Sequence, residues 1–256
     1  MRFLALILLL VSSFSGFAQE TLKLRVMTYN LRFGELASLD ELAQHIKSFK
    51  PDLVALQEVD CFTQRERAPK QNGKNFISEL AYHTGMYGFF GKTIDYKGGY
   101  YGIGILSRYP AISTQKTMLP YLDEKMERRA LLEGIFEIGN DTLVFATTHL
   151  CVQSDEARTL QTKFICDHFA NTVYPVILGG DFNAVPASNA IRQMLECWHA
   201  DKDNAPSVSA KNPRRRIDFL FQKPMKGWKI VRSQVVYSLL SDHLPDVTDL
   251  EYKPNK

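Results

Sequence analysis

Asn, Glu, His and Asp recur in five short polar motifs: Thr28-Tyr29-Asn30, Gln57-Glu58-Val59, Thr148-His149-Leu150, Gly180-Asp181-Phe182-Asn183 and Ser241-Asp242-His243-Leu244-Pro245. Four of them directly follow an apolar run, which places polar side chains at the tips of strands. Carboxylates and amides on one rim can hold a hard divalent cation, which takes oxygen ligands and keeps several waters. Histidines beside them titrate near neutrality and can move a proton or bind an anionic oxygen. Such a set serves metal-assisted attack of water on phosphorus.

Each motif also has a plainer reading. A lone carboxylate after a buried strand, as at Glu58, is usually a solvated turn residue, and Asn30 alone reads as a strand-end turn residue whose amide offers a neutral oxygen. Gly179-Gly180-Asp181-Phe182-Asn183 is sharper. Two glycines permit a tight turn after the buried strand, and Asp181 and Asn183, two apart, can reach one site, Asp181 to activate or orient water and Asn183 to hold it or the phosphate. His243 stands beside Asp242, and Asp218, set between apolar neighbours, needs a hydrogen-bonding partner that His243 can be. His149 could place a second donor. Of Arg128 and Arg129, one could grip phosphate in bidentate fashion; Arg129 is the candidate. His45, His83, His168 and His199 fall in helical patterns and read as structural. Gly91-Lys92-Thr93 lacks the glycine spacing and the strand-to-helix context of a phosphate loop, and neither Gly-x-Ser-x-Gly nor His-Glu-x-x-His occurs.

The elements that must carry these residues alternate without a linker. Leu22 to Tyr29 alternates as a strand does. Ser38 and Glu41 form a capping box, Leu39, Leu42, Ile46 and Phe49 follow at helical spacing, and Pro51 ends that helix. Leu53 to Leu56 is a short buried strand, with Glu58 just past its tip. Helices are expected over Phe76 to His83, closed by Gly85, and over Asp155 to Phe169 and Ile191 to Leu195. Further strands are expected over Ile103 to Leu106, Ile112 to Met118, Ala130 to Ile138, Leu143 to Thr148, Pro175 to Leu178, Ile217 to Phe221 and Trp228 to Val236. Strands in blocks with few helices suit two packed sheets flanked by helices better than one doubly wound sheet. Thr63 to Lys74, Gly91 to Tyr101 and Asp201 to Arg215 read as loops.

At 256 residues and a formal charge of +3, the chain is large enough for one sizeable domain, and its mild basicity permits a polyanionic partner without requiring one. Met1-Arg2, the apolar run Phe3 to Val11 and the small residues before Gln19 fit a signal peptide over 1–18, with a single domain over 19–256. The apolar run is short for a membrane span, and no second long one follows, so export to the periplasm or the exterior is expected, with no stable span in the mature chain. Cys61, Cys151, Cys166 and Cys197 form no Cys-x-x-Cys. They read either as small buried hydrophobes or as pairs with three possible connectivities.

In order, these motifs together with Arg216-Ile217-Asp218 and Ile105-Leu106-Ser107-Arg108-Tyr109-Pro110 resemble the endonuclease/exonuclease/phosphatase superfamily over nearly the whole mature chain. The resemblance implies a four-layer α/β/β/α sandwich of two mixed sheets flanked by helices, and dependence on Mg2+ or Mn2+. By position, Glu58 resembles the main metal ligand with Asn30 beside it, and Asp242 a metal-proximal carboxylate. Asp181 resembles the residue that orients or deprotonates water, assisted by Asn183. His243 resembles the phosphate-binding or proton-transferring histidine, oriented by Asp218, and His149 a second active-site histidine. The base is left open between Asp181 and His243.

The implied substrate is a phosphate ester: nucleic acid, a phospholipid head group or an inositol phosphate. A nuclease-like phosphodiesterase is favoured, since no long apolar hairpin of the sphingomyelinase kind is visible. The alternatives are a sphingomyelinase- or inositol-phosphatase-like enzyme and a catalytically silent binder of a phosphorylated ligand. Lys211, Arg214, Arg215 and Arg216 could meet a polyanion, and Tyr96, Tyr100 and Tyr101 could stack on bases.

Overall fold

The alternation from Leu22 produces strand β1 (Leu22–Asn30), and Ser38 caps helix α1 (Leu39–Ser48), its hydroxyl accepting from the Glu41 N–H while Glu41 reaches back to the Ser38 N–H. The computed structural model describes residues 21–201, 205–224 and 226–253, so the signal peptide expected over 1–18 lies outside the described residues. After α1 come β2 (Leu53–Cys61), α2 (Phe76–Thr84), β3 (Tyr87–Tyr96), β4 (Gly99–Ser107), β5 (Ala111–Met118), β6 (Ala130–Ile138) and β7 (Asp141–His149). Then follow α3 (Asp155–His168), β8 (Val176–Asp181), α4 (Asn189–Cys197), β9 (His199–Ala200), β10 (Asp218–Lys223), β11 (Trp228–Val235) and β12 (Asp246–Tyr252).

The strands form two six-stranded sheets, ordered β11-β12-β1-β2-β4-β3 and β5-β6-β7-β8-β10-β9. Both are mixed: β1 runs parallel to β2 and β7 to β8, while the other pairs are antiparallel. Each parallel pair is joined through one helix, α1 or α3, as a parallel connection requires. Val26, Leu53 and Ile105 of the first sheet meet Leu132, Phe145 and Ile177 of the second in a central core. The outer face of the first sheet packs on α1 and α2 through Met27, Leu42, Ile46, Leu56 and Leu80. The outer face of the second packs on α3 and α4 through Leu178, Phe182, Ile165 and Met194. Three cores between four layers give the α/β/β/α sandwich expected from the motifs.

Several local expectations are corrected. β2 does not stop at Leu56 but runs to Cys61, with Glu58 inside it at a bulge where the pairing with β4 slips between Leu56 and Val59. Gly91 to Tyr101 is no loop: it is a hairpin built from β3 and the start of β4. Neither β3, an edge strand rich in glycine and half-buried, nor β12, which buries Asp246 and Thr248, has the apolar alternation that marks a strand. His199 lies in the two-residue strand β9, not in a helix. Gly179 and Gly180 do not turn; they continue β8 to Asp181, and their missing side chains allow close approach. A Cβ on Gly179 would lie 2.7 Å from the Ala55 Cβ of the other sheet, and one on Gly180 2.5 Å from the Thr148 carbonyl oxygen.

Candidate active site

Strand direction collects the polar motifs at one end of the sandwich. β1 ends at Asn30, and β7 and β8 end at His149 and Asp181, which pair in register. β10 runs the other way, so its first residue, Asp218, stands opposite Asp181. β12 opposes β1, with Asp246 opposite Thr28, which brings the preceding Ser241-Asp242-His243 to the same rim. The Ser241 hydroxyl fastens that segment by donating to the Asn30 carbonyl at 2.7 Å. Below the rim the two sheets are joined by Gln57, whose amide nitrogen donates to Thr28 Oγ1 at 3.2 Å and to Thr147 Oγ1 at 3.0 Å.

Glu58 has φ +55°, left-handed backbone that a non-glycine residue rarely adopts. In β2 it alone keeps some exposure, its neighbours being buried. The bulge aims its carboxylate at Asn30, whose amide nitrogen lies 3.2 Å from Glu58 Oε1 and 3.0 Å from Asp181 Oδ2. The Asn30 oxygen accepts the Arg32 N–H at 3.0 Å, which fixes the amide and leaves a second lone pair. Asp181 Oδ1 accepts the Asn183 N–H at 2.8 Å, and Asn183, at φ +49°, donates from its side chain to the Leu150 carbonyl at 3.1 Å. The turn is an Asx turn, and it also faces the site.

The two histidines hold different charge states, one cationic and one neutral. His243 Nδ1 lies 2.9 Å from Asp218 Oδ2, and its Nε2 lies 3.7 Å from Asp181 Oδ2. Burial opposes the imidazolium, but Asp218 and then Asp181 outweigh it and raise the His243 pKa to about 10. His149 Nε2 lies 3.6 Å from the same Asp181 oxygen. Here burial, reinforced by Arg129 and His243, holds the pKa well below 6.5, so His149 stays neutral. Burial, and then the Asp218 charge, raise the Asp181 carboxyl to about 7 against the pull of His243. Burial also raises Glu58, with Asn30 and His243 opposing.

Of the two arginines, Arg129 is the buried one, paired with Glu127 at 3.1 Å and close enough to Glu58 and His149 to shift both. Arg128 instead stacks on Tyr121 and pairs with Glu124. Asp242 pairs with Arg32, which also holds Glu35, and its charge is felt by His243 and Glu58. Arg32, Leu36, Lys211 and Asp242 line a cleft of about 250 Å3 beside the site. Arg216 is buried against Asp246 at 3.0 Å and is not available to a polyanion. Tyr96 and Tyr101 do not present open faces to bases, because Arg65 stacks over both rings at 4.3 and 5.1 Å. The buried Tyr101 phenol, raised first by burial and then by Glu58, belongs to the site's surroundings. Sequence reasoning missed it there, because only the pairing of β4 with β2 carries it toward Glu58; no local motif signals it.

Asp181, Asp218 and His243 offer donor atoms within 4.8 Å of one another. His243 Nδ1 is already bonded to Asp218, so the ring brings only Nε2 to that trio, and Nε2 stands 3.7 Å from Asp181 Oδ2. For a hard cation the better oxygen set is Glu58 with the spare lone pair of Asn30, since burial disfavours an uncompensated Glu58 charge and the carboxylate stays reachable from solvent. Among the described residues, buried Arg129 Nε and His149 Nδ1 have no hydrogen-bond partner. Glu58 and Asn30 fit a divalent cation, and the unpartnered Arg129 N–H fits an anion beside it.

Comparison with known proteins agrees with this geometry. A profile described as the endonuclease/exonuclease/phosphatase family matches residues 27–243. No curated protein sequence matches. An endonuclease/exonuclease/phosphatase from Beutenbergia cavernae superposes with a TM-score of 0.74 at 23% identity, covering 90% of this chain and 72% of that one. The human Nocturnin catalytic domain with bound sulfate superposes at 0.70 and 16% identity, covering 93% of this chain and 98% of that one. A mannosyl-6-phosphatase of Bacteroides thetaiotaomicron superposes at 0.69 and 16% identity, covering 89% and 99%. At these identities the structural likeness establishes the fold.

Proposed function

The chain belongs to the endonuclease/exonuclease/phosphatase family, and we propose on that premise that it hydrolyses phosphate diesters with water and a divalent cation, Mg2+ or Mn2+. One observation carries the reading: a single amide, that of Asn30, holds the carboxylates of Glu58 and Asp181, and His243 reaches the same Asp181 oxygen. Glu58 and Asn30 would hold the cation, with Asp242 at the rim. When bound, such a cation neutralises charge developing on the phosphate oxygens and makes a coordinated water more acidic.

The protein's own groups divide the remaining work. Asp181, raised to about 7, is tuned to take a proton from the attacking water near neutral pH. Its orientation is fixed by the Asn183 N–H on one oxygen and Asn30 on the other. His243 remains protonated to about pH 10 and donates Nε2–H to a phosphate oxygen, while Asp218 accepts from Nδ1 and fixes the ring. On this reading Asp181 is the base and His243 the charged donor. His149, neutral, donates Nε2–H beside Asp181. Arg129 steadies the phosphate electrostatically. Arg129 is matched by Glu127, Arg32 by Asp242 and Glu35, and His243 by Asp218, so the two charges of the cation, less that of Glu58, leave at most one positive charge for the ester. A singly charged diester suits that balance better than a doubly charged monoester.

The test is hydrolysis of bis(4-nitrophenyl) phosphate beside 4-nitrophenyl phosphate, with Mg2+, Mn2+ or chelator. Diester turnover that vanishes with chelator, and in Glu58→Ala and His243→Ala, supports the reading. Phosphate binding without turnover in either metal refutes it in favour of a silent binder. Nucleic acids, sphingomyelin and inositol phosphates assayed together then identify the natural ester. Export is proposed from residues 1–18, and a mature protein beginning at Gln19 is its signature.

A further inference from the structure

Of the four cysteines, two meet. Cys166 lies near the end of α3 and Cys197 is the last residue of α4, with Sγ atoms 2.7 Å apart. That is closer than unbonded sulfur atoms rest and longer than the bond of about 2.05 Å. The helices are already in register there: Thr162 Oγ1 donates to Gln193 Oε1 at 2.7 Å, and Cys166 Sγ lies 3.8 Å from Met194 Sδ. Both cysteines are half-buried, whereas Cys61 and Cys151 are buried in other parts of the fold. Cys61 sits on β2 beside Asn75, and Cys151 follows β7 with its thiol on Gln153 Oε1 at 3.4 Å.

We propose that Cys166 and Cys197 form a disulfide joining α3 to α4, which leaves Cys61 and Cys151 as thiols. The bond would close a covalent ring containing β8 and the Asp181–Asn183 turn, so the strand that carries Asp181 lies inside the staple. Formation needs a disulfide donor, small-molecule or protein. The Cys197 thiolate attacks the donor and expels one donor thiol, giving a mixed disulfide. Cys166 then loses its proton to solvent, attacks the Cys197 sulfur and expels the second donor thiol. Two cysteine thiols are oxidised and one donor disulfide is reduced to two thiols. A catalytic or metal-binding thiolate suits the pair poorly: burial first, and then the Cys197 thiol, push Cys166 up to about 12.

The experiment uses the purified full chain equilibrated with oxidised glutathione or with dithiothreitol. Thiols are alkylated under denaturing conditions, followed by intact mass and tryptic mapping. The oxidised protein should take up two alkyl groups and the reduced protein four, and tryptic peptides 164–192 and 193–202 should appear cross-linked. Because the ring spans about 30 residues, the melting temperature should rise by about 5–10 °C on oxidation. The rise should be absent in Cys166→Ser and in Cys197→Ser. Four alkylated thiols after oxidation, or a cross-link through Cys61 or Cys151, would overturn the assignment, and the peptide map decides even if a serine variant fails to fold.

Discussion

Gly179→Ala tests whether the spacing between the sheets sets the catalytic geometry. Gly179 faces the first sheet, where a new Cβ would stand 2.7 Å from Ala55 Cβ, 3.2 Å from Thr28 Cβ and 3.2 Å from Leu220 Cδ2. Ordinary contact begins at 3.4 Å, so the Ala55 contact must open by roughly 0.7–1 Å before packing recovers. Leu220 can rotate away, but the Cβ atoms of Ala55 and Thr28 move only with the backbones of β2 and β1. Such overpacking costs about 1–3 kcal/mol. The displacement also falls on the site: Asn30 follows Thr28 by two residues, and Asp181 follows Gly179 by two. The 3.0 Å bond from Asn30 to Asp181 spans the same gap and should lengthen with it. A misplacement near 1 Å costs on the order of 100-fold in rate. Urea unfolding at 25 °C measures the first effect, and kcat on bis(4-nitrophenyl) phosphate with saturating Mn2+, where the variant is fully folded, measures the second. A variant that loses stability but keeps wild-type kcat would sever the link between sheet spacing and chemistry. One that keeps both would refute the packing argument itself.

Asp218→Asn should lower the His243 pKa, since the carboxylate that chiefly sustains the imidazolium is lost while burial remains. The folded pKa of about 10 lies above the unfolded value near 6.5. The charged histidine's contribution to stability is therefore fully present below pH 6.5 and lost as pH rises through 10. Urea unfolding in chelator from pH 6 to 10 should show a window of wild-type stability over this range that the variant lacks, and the alkaline limb of the variant's rate profile should move to lower pH. Ser38→Ala removes one half of the capping box and should cost about 1 kcal/mol by urea unfolding with kcat unchanged, because α1 lies on the outer layer.

The sequence alone determined what is local. Ser38 and Glu41 announce α1 because a capping box is closed within one turn. Asn30, His149, Asp181, Asp218 and His243 stand out because polar residues beside apolar runs must sit where buried strands meet solvent. Their order along the chain was enough to suggest the family and the sandwich. What the chain could not show locally is whatever depends on partners distant in sequence. The bulge that turns Glu58 toward Asn30 exists through pairing with β4, and the glycines of β8 stay extended because Ala55 of the other sheet and Thr148 of the neighbouring strand come too close for side chains. β12 reads as polar, yet it is interior because β11 and β1 flank it, and Arg216 from a distant loop pairs with its buried Asp246. The different charge states of His149 and His243 follow from which carboxylate or arginine each ring faces once buried, a matter of distances that only packing sets.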